Sequence, residues 1–523
     1  MLFRSNNTAV GSNALLVNTT GNGNSAIGLE SLYANTTGSS NTAVGYRALK
    51  YNTTASWNTA IGYQSLNTNT TGAQNVANGY LALFANTTGS YNVAAGTSAL
   101  TSNTTGNSNI AIGNEALKSN TTASWNIATG EGALYANTTG AQNVAYGAYT
   151  LNANTTGDYN VAVGMQALDL NTVGTYNTAN GYQALYANTT GGRNSAVGAY
   201  ALNLNTTGSW NTAVGYGALN ANTTGNYNTA YGYYSLGSNS TGEQNTTVGY
   251  GALTANTTGS YNTSVGYGAL TANTTGQYNV AVGQTGLYSN TTAYSNTAIG
   301  NAALYQNTTG DSNTAIGGNA LQNNTTGAYN VGVGKSSLYT NSTGQRNAAI
   351  GAYSMYYNTT GSYNTSVGDY AGYSLTTGNG NVQIGPVNSS GSYAPVFYAT
   401  TENNRVAIGS TAVTNAYIQV AWTVVSDARD KTNFNTVPHG LDFVNQLKPT
   451  AYQFRTARDS EETNGSVRYG FKAQDILALE GDAPVIIDNE DPDKLKYNSD
   501  SLIPVLVNAI QELTVRLEIL ENK

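Results

Sequence analysis

The sequence predicts a mainly β protein: a parallel β-solenoid, or β-roll, of 17-residue coils, followed by a small α+β domain that ends in a coiled-coil helix. Two observations lead to this prediction, a repeat of fixed period and an abrupt change of composition. All 7 prolines of the 523-residue chain lie after residue 385. We therefore predict a solenoid shaft over residues 1–385, a β-rich neck over 386–426 and a terminal domain over 427–523, with its coiled coil at about 502–523.

The repeat has the consensus NTAVGYxALxANTTGxY. Its glycine recurs at every seventeenth position from Gly11 to Gly385 without an insertion or deletion. Because loops normally tolerate insertions, a period this strict indicates coils that stack directly on one another. NTAVGY has strand composition and NTTG has turn composition, and proline is absent, as interior strands require. The coils predict a rod of about 105 Å at about 4.8 Å per coil, with its asparagines stacked as amide ladders.

The side chains within each predicted strand divide between two faces. The residues one and three places after the repeat asparagine, such as Ile110 and Ile112, share a face and are mostly β-branched. We predict that they fill the interior of the coil. The nearly constant alanine between them, as at Ala43 and Ala60, is then expected to press against a neighbouring chain.

The residue before the repeat asparagine varies between aromatic and polar types, which indicates an exposed edge. This aromatic column contains Trp57, Tyr91, Trp125, Tyr159, Tyr176, Trp210, Tyr227, Tyr261 and Tyr278. Exposed rings offer flat faces to sugars. Two interpretations stay open: the column recognises a surface ligand, or its rings stack and stiffen the rod.

Several functions are disfavoured by composition. A net charge of −7 without a basic patch argues against nucleic-acid binding, and no apolar run is long enough for membrane insertion. The sequence indicates no cofactor and no metal site. The scattered acids of the repeats form no pair, so a glycan-degrading spike is a weaker alternative. Threonine columns such as Thr19, Thr36 and Thr53 make an ice-binding solenoid another.

Two resemblances extend these inferences. The segment NTAVGYGAL is similar to the head repeats of trimeric autotransporter adhesins (YadA-like), which form a trimeric β-roll. Near the C-terminus, VVSDARDKTNF, GLDFVNQLKPTAYQF, RYGFKAQDI and YNSDSLIPVLVNAIQELTVRLEIL together resemble the endosialidase-type self-cleaving intramolecular chaperone of phage tail spikes and fibres. This second resemblance implies a domain that trimerises, guides folding of the upstream shaft and then cuts itself off.

Carried over by motif, the resemblance implies cleavage between Ser426 and Asp427, with Ser426 as nucleophile and Lys431 as general base. Lysine can serve as a base when it is buried in its neutral form, and we expect trimer closure to bury it. Asp430 stands where the family usually has a hydrophobic residue.

The last helix carries a heptad seam: Ile503, Leu506, Ile510, Leu513, Leu517 and Leu520. The heptads alone leave dimer and trimer open, and the resemblance implies a homotrimer. We therefore expect the shaft of a viral tail fibre or tailspike, made in the host cytoplasm and carried on the virion. Its expected partners are a bacterial surface glycan or other receptor and other virion tail proteins. The only enzymatic activity expected is autoproteolysis. The alternative is a bacterial cell-surface adhesin or extracellular filament of the same build.

Overall fold

The computed structural model describes residues 6–413, 416–417, 426–455, 459–482, 484–490, 492–493 and 495–522. The chain divides into two compact units. One comprises Met1–Val387 with Pro395–Ile408, and the other comprises Asn388–Ala394 with Gly409–Lys523. The predicted fold class is confirmed: a long parallel β-solenoid of 17-residue coils precedes a small region with strands and a terminal helix. The predicted domain boundaries stay predictions.

The first unit is built from short strands, one in each coil. Within the described residues, the sheet contains 24 strands of three residues each. They are β1 Thr8–Val10, β2 Ser25–Ile27, β3 Thr42–Val44, β4 Thr59–Ile61, β5 Val76–Asn78, β6 Val93–Ala95, β7 Ile110–Ile112, β8 Ile127–Thr129, β9 Val144–Tyr146, β10 Val161–Val163, β11 Thr178–Asn180, β12 Ser195–Val197, β13 Thr212–Val214, β14 Thr229–Tyr231, β15 Thr246–Val248, β16 Thr263–Val265, β17 Val280–Val282, β18 Thr297–Ile299, β19 Thr314–Ile316, β20 Val331–Val333, β21 Ala348–Ile350, β22 Thr365–Val367, β23 Val382–Ile384 and β24 Val406–Ile408.

Each strand pairs in parallel with the next strand along the chain. The residue seventeen places later is the partner through β23, as in Ala43↔Ala60. At the last step Val382 pairs with Val406, so this coil is longer by seven residues. Those extra residues are Asn388–Ala394, the segment that groups with the second unit. The ladder therefore continues for one coil beyond the strictly periodic sequence.

The interior of the coil holds the small residues, so our prediction of strand facing is wrong. The strand-centre alanines, such as Ala43 and Ala60, are fully buried beside the repeat leucines, such as Leu49 and Leu66. The β-branched residues on either side point outward, and Ile112 is 44% exposed. A coil of 17 residues encloses little space. Once leucine and the asparagine amides fill it, a small side chain fits at the strand centre. The largest exception, the buried Gln383, accepts a hydrogen bond from the backbone N–H of Gly372, which replaces the leucine of that coil.

The leucines enter the interior through an unusual backbone conformation. Leu49 has φ +53° and Leu66 has φ +52°, in the left-handed region, and the leucines of the other coils follow. This conformation costs about 1–2 kcal/mol for a residue with a Cβ. Full burial of a leucine side chain contributes about 1.5–3 kcal/mol. Burial therefore offsets the conformational cost in each coil.

Two asparagine ladders run along the rod, as predicted. In the first, the side-chain oxygen of Asn24 accepts a 2.9 Å hydrogen bond from the backbone N–H of Asn41, one coil later. In the second, formed by the asparagine of the NTTG turn, Asn52 Nδ2 donates to Asn35 Oδ1 at 2.9 Å and to the Ala55 carbonyl at 3.0 Å. These side chains are fully buried. The ladders thus satisfy the polar groups that a narrow, turn-rich interior cannot avoid.

The repeat glycine is required for steric reasons. Gly249 has φ +137°, and a Cβ placed there would lie 2.4 Å from the carbonyl oxygen of Gly266 in the next coil. No side chain fits at that distance, and the backbone conformation also favours glycine. The same arrangement explains why this column of the repeat is uniform.

The second unit is a small mixed domain. Helix α1 is Leu441–Val444, β25 Thr450–Arg455 pairs antiparallel with β26 Thr463–Gly470, α2 is Ala473–Glu480, β27 Ile487–Asp488 pairs antiparallel with β28 Lys496–Tyr497, and α3 is Ser499–Glu521. Its core contains Phe443, Ile476, Ile486, Ile487, Leu502 and Val505. In the described part of the chain, no helix combines the length and apolar character needed to cross a membrane.

Candidate functional site

The predicted cleavage residues lie together at the start of the described terminal region. A 3₁₀ turn over Ala428–Asp430 reverses the chain just after Ser426. The backbone N–H of Lys431 donates to the carbonyl of Ala428 and closes the turn. As a result, Lys431 Nζ donates a 2.5 Å hydrogen bond to Ser426 Oγ. A hydroxyl and an amine are thereby held in direct contact beside the Ser426–Asp427 peptide bond.

Asp427 and Arg429 form the turn. The Asp427 carboxylate caps it by accepting from the Arg429 backbone N–H at 2.8 Å, and it also pairs with the Arg429 guanidinium at 2.5 Å. The guanidinium and then the backbone hydrogen bond lower the pKa of Asp427 below its ordinary value. Asp427 is therefore held as an anion, and Arg429 neutralises its charge. Lys431 is left to contact the serine.

The Ser426–Lys431 pair is exposed in the single chain. A lysine that acts as a general base needs surroundings that favour its neutral form, and open solvent does not supply them. The side chain of Asp430 lies outside the described structure, so the structure gives no account of its position. The catalytic roles of Ser426 and Lys431 stay predictions.

The heptad residues of α3 point away from the core of their own domain. The buried side of the helix consists of Leu502, Val505 and Ala509. The predicted seam lies on the remaining surface, where Ile503, Leu506, Ile510, Leu513, Leu517 and Leu520 are all exposed. Six large apolar side chains on one helix are thus available to contact another molecule.

The aromatic column lies at the surface of the rod. All nine of its predicted residues are exposed, from Tyr261 at 44% to Trp125 at 65%. Consecutive members stack, with ring centroids 4.8 Å apart for Tyr159 and Tyr176. At one polar position of the column, the guanidinium carbon of Arg193 lies 4.6 Å from the centroid of the Trp210 ring. Stacking and exposure therefore coexist, and both interpretations of the column stay open.

Sequence reasoning missed a second aromatic surface, formed by the residue after the repeat glycine. Tyr233, Tyr250 and Tyr267 stack here in consecutive coils and border a cleft of about 390 Å³. The available signal was the tandem GYGALTANTTG, which places a second glycine after the tyrosine in two consecutive coils at Gly251 and Gly268.

Comparison with known proteins shows what part of the terminal region is similar to. Residues 426–483 match the family model described as Chaperone of endosialidase (Peptidase_S74). The match begins at Ser426 and covers the 3₁₀ turn, α1, β25, β26 and α2. No curated protein matches the chain. The similarity to this family, together with the solenoid, implies a trimeric β-solenoid protein with a self-cleaving chaperone.

Proposed function

We propose that the protein is the homotrimeric shaft of a viral tail fibre or spike. In this proposal it attaches to a bacterial surface, and its C-terminal domain directs trimerisation and folding and then cuts itself off before Asp427. The contact between Lys431 Nζ and Ser426 Oγ, 2.5 Å long and placed where the family match begins, carries this proposal.

The cleavage step follows from that contact. Lys431, as a base, removes the proton of the Ser426 hydroxyl. Attack of this oxygen on the carbonyl of its own residue would close a strained four-membered lactone, so we propose that in the trimer it attacks the carbonyl carbon of the Ser426–Asp427 bond of a neighbouring protomer and forms an ester there. The bond to nitrogen breaks, and a proton converts that nitrogen into the new amino group of Asp427. Water then hydrolyses the ester and leaves a carboxylate on Ser426. Because the pair is exposed in the single chain, trimer closure supplies the burial that the base requires and couples cleavage to assembly.

Two exposed apolar surfaces support the trimer. One is the α3 seam. The other is the outer row, which we define as the last residue of each strand from Val10 to Ile408. The row is mostly valine or isoleucine, and none of the 24 strand sequences contains a charged residue. An uncharged apolar row along the length of a rod is suited to packing against identical copies.

The repeat itself explains why such a shaft needs a chaperone. Neighbouring coils are nearly identical, so two chains displaced by one coil keep almost all their contacts, and register is weakly specified. Clamping the C-termini through α3 fixes the register before the coils pack together. When the shaft has formed, the clamp is no longer needed and can be removed.

Denaturing electrophoresis and mass spectrometry of three variants test the cleavage step. Wild-type protein should lose the segment from Asp427 onward, whereas Ser426→Ala and Lys431→Ala should each persist as the intact 54.3 kDa chain. Thr432→Ala is the matched control, because Thr432 is an exposed neighbour of the pair, and it should cleave like wild type. Cleavage of Ser426→Ala before Asp427 would refute the assignment.

Attachment needs a separate measurement. Fluorescently labelled trimer should bind the surface of susceptible bacteria, and the isolated terminal segment released by cleavage should not. If the purified trimer binds no bacterial surface in a broad panel of strains, the attachment proposal fails even where self-cleavage is observed.

A further inference from the structure

The cleft beside Tyr250 and Tyr267 exists because two side chains are missing. The residue two places after the repeat glycine forms a column along the rod. In four consecutive coils this residue is Tyr234, Gly251, Gly268 and Thr285. A Cβ at Gly251 would meet nothing closer than Thr254 Oγ1, at 3.5 Å, and a Cβ at Gly268 nothing closer than Thr271 Oγ1, at 3.4 Å. Two consecutive glycines therefore open a trough of about 390 Å³. At the isolated glycines of the same column, Gly132 and Gly217, the ring of Tyr149 or Tyr234 from the next coil occupies the space.

Backbone conformation does not require these glycines. Gly251 has φ +62°, while residues of the same column in other coils have similar values with full side chains, such as Gln64 at +50° and Tyr234 at +48°. The column therefore accepts long side chains without a change of fold. The absence of a side chain in two successive coils is a local feature of this part of the rod.

The wall of the cleft is a stack of nearly parallel tyrosine rings. The ring centroids lie 5.1 Å apart for Tyr233 and Tyr250 and 5.4 Å apart for Tyr250 and Tyr267, with interplanar angles of 6° and 11°. Rings in full face contact would be about 3.5–4.0 Å apart. Neighbouring rings are therefore not in full face contact, and part of each ring surface stays accessible. Tyr250 and Tyr267 are more than half exposed, in agreement with this geometry.

The floor supplies neutral hydrogen-bonding groups. Thr271 Oγ1 donates to the Gly268 carbonyl at 2.8 Å, and Thr254 Oγ1 donates to the Tyr234 carbonyl at 3.3 Å. Because each hydroxyl hydrogen is already committed, the oxygens are left as acceptors for a ligand's hydroxyl groups. The cleft thus combines aromatic faces with acceptors of hydrogen bonds.

The charges along this face of the rod indicate what the cleft accepts. None of the residues that line it is charged. In other coils the same surface carries ion pairs, with Glu30 bonded to both Arg47 and Lys50. The cleft is therefore uncharged, unlike the coils that contain these ion pairs. A neutral, hydroxyl-rich ligand matches the uncharged cleft, whereas an anionic ligand would find no cation there.

We propose that the cleft binds a neutral oligosaccharide, with sugar rings lying against Tyr250 and Tyr267 and sugar hydroxyls donating to Thr254 and Thr271. This inference rests on the proposed attachment function and names the class of receptor and one place where it binds. The site is distinct from the aromatic column that contains Trp210 and Tyr261.

The decisive variant fills the cleft with a side chain that the same column already holds elsewhere. The double variant Gly251→Gln, Gly268→Gln copies Gln64, and Ser98→Gln makes the same type of change in that column far from the cleft. Calorimetric titration of the purified protein, in the form left after self-cleavage, with neutral hexasaccharides of glucose, galactose and mannose is expected to detect binding by at least one of them. The double variant should lose at least tenfold in affinity, and Ser98→Gln should match wild type.

A second pair of variants separates the cleft from tyrosine stacking in general. Tyr250→Ala should weaken binding at least tenfold. Tyr63→Ala should not, because Tyr63 belongs to an equivalent stack, with centroids 5.1 and 5.3 Å from its neighbours, but Gln64 occupies the position of the cleft glycine. Binding that survives in the filled variant overturns the proposal, as does binding only to oligosaccharides that bear uronic or sialic acids, or binding to no neutral sugar.

Attachment to cells distinguishes failure of this site from failure of the proposed function. If the filled variant attaches to bacteria as well as wild type does, the cleft inference is wrong and the attachment function stands. If wild type itself attaches to no cells, the proposed function fails whatever the calorimetry shows.

Discussion

Replacing Asn222 with alanine removes one rung from the ladder of turn asparagines and tests what holds the coils together. Asn222 Nδ2 donates to Asn205 Oδ1 at 2.8 Å and to the Gly225 carbonyl at 3.0 Å. Its Oδ1 accepts from Asn239 Nδ2 at 2.9 Å. The side chain is fully buried, so water does not compete for these bonds.

The size of the effect follows from which partners are left without a bond. The Gly225 carbonyl keeps a second donor, Asn211 Nδ2, at 2.8 Å. Asn205 Oδ1 loses its hydrogen bond from Asn222, and Asn239 Nδ2 keeps only its bond to the Gly242 carbonyl. Two buried groups are thus left short of a partner, each at a cost of about 1–3 kcal/mol. We expect Asn222→Ala to destabilise its neighbourhood by about 2–6 kcal/mol.

Amide hydrogen exchange measures this effect where it occurs. Coils of a solenoid interact mainly with their neighbours, so opening should be localised. The amide of Thr223, which donates to the Ser240 carbonyl, should exchange at least tenfold faster, since about 1.4 kcal/mol corresponds to a factor of ten. The amide of Gly45, several coils away, should exchange at the wild-type rate. Thr224→Ala, an exposed change in the same turn, is the control. Equal exchange rates at Thr223 in the two variants would refute the role given to the ladder.

Three further predictions follow. Burial raises the pKa of Asp169 from 3.8 to about 6, so wild-type stability should fall as pH rises through that interval. Asp169→Asn should abolish this slope in thermal melts and stabilise the rod at neutral pH, because Asn152 in the same column donates to the Gly132 carbonyl at 3.0 Å. Gly249→Ala should prevent assembly of a soluble rod, since its Cβ would overlap the next coil; normal sedimentation would contradict this. Ile510→Asp, introduced into the uncleaved Ser426→Ala protein so that α3 is retained, should shift light scattering from trimer to smaller species without loss of helical circular dichroism, because Ile510 is exposed within its own domain. A trimer of undiminished size would contradict the role of the heptad residues of α3.

The sequence was most informative where a residue must match its counterpart in the next coil. Both asparagine ladders and the uniform column of Gly249 follow from stacking in register, so the period alone predicted them. The facing of the strands did not follow, because a three-residue strand such as Thr42–Val44 satisfies alternation with either side inward. The side of the strand that turns inward is decided by the volume that Leu49 leaves in the interior. Leu49 reaches the interior through a left-handed backbone conformation, which leucine rarely adopts and which the sequence therefore did not indicate.

The Ser426–Lys431 pair and the tyrosine cleft also differ in how far the sequence could predict them. The contact between Ser426 and Lys431 depends on a 3₁₀ turn whose cap, Asp427, is visible in the sequence, but the resemblance to a known family was needed to single out the pair. The tyrosine cleft depends on side chains that are absent at Gly251 and Gly268. A gap of this kind has meaning only after the coils are stacked, because its neighbours in space lie seventeen residues away.

The register of the coils also determines how the length of the shaft can change. Every coil offers the same edge to the coils before and after it, so the gain or loss of a whole repeat lengthens or shortens the rod by about 4.8 Å and disturbs neither end. An insertion of any other size must leave the pairing of the flanking segments intact, as Asn388–Ala394 does before β24. Recombination between near-identical repeats can therefore adjust the reach of the molecule in discrete increments, while the machinery at its tail remains unchanged.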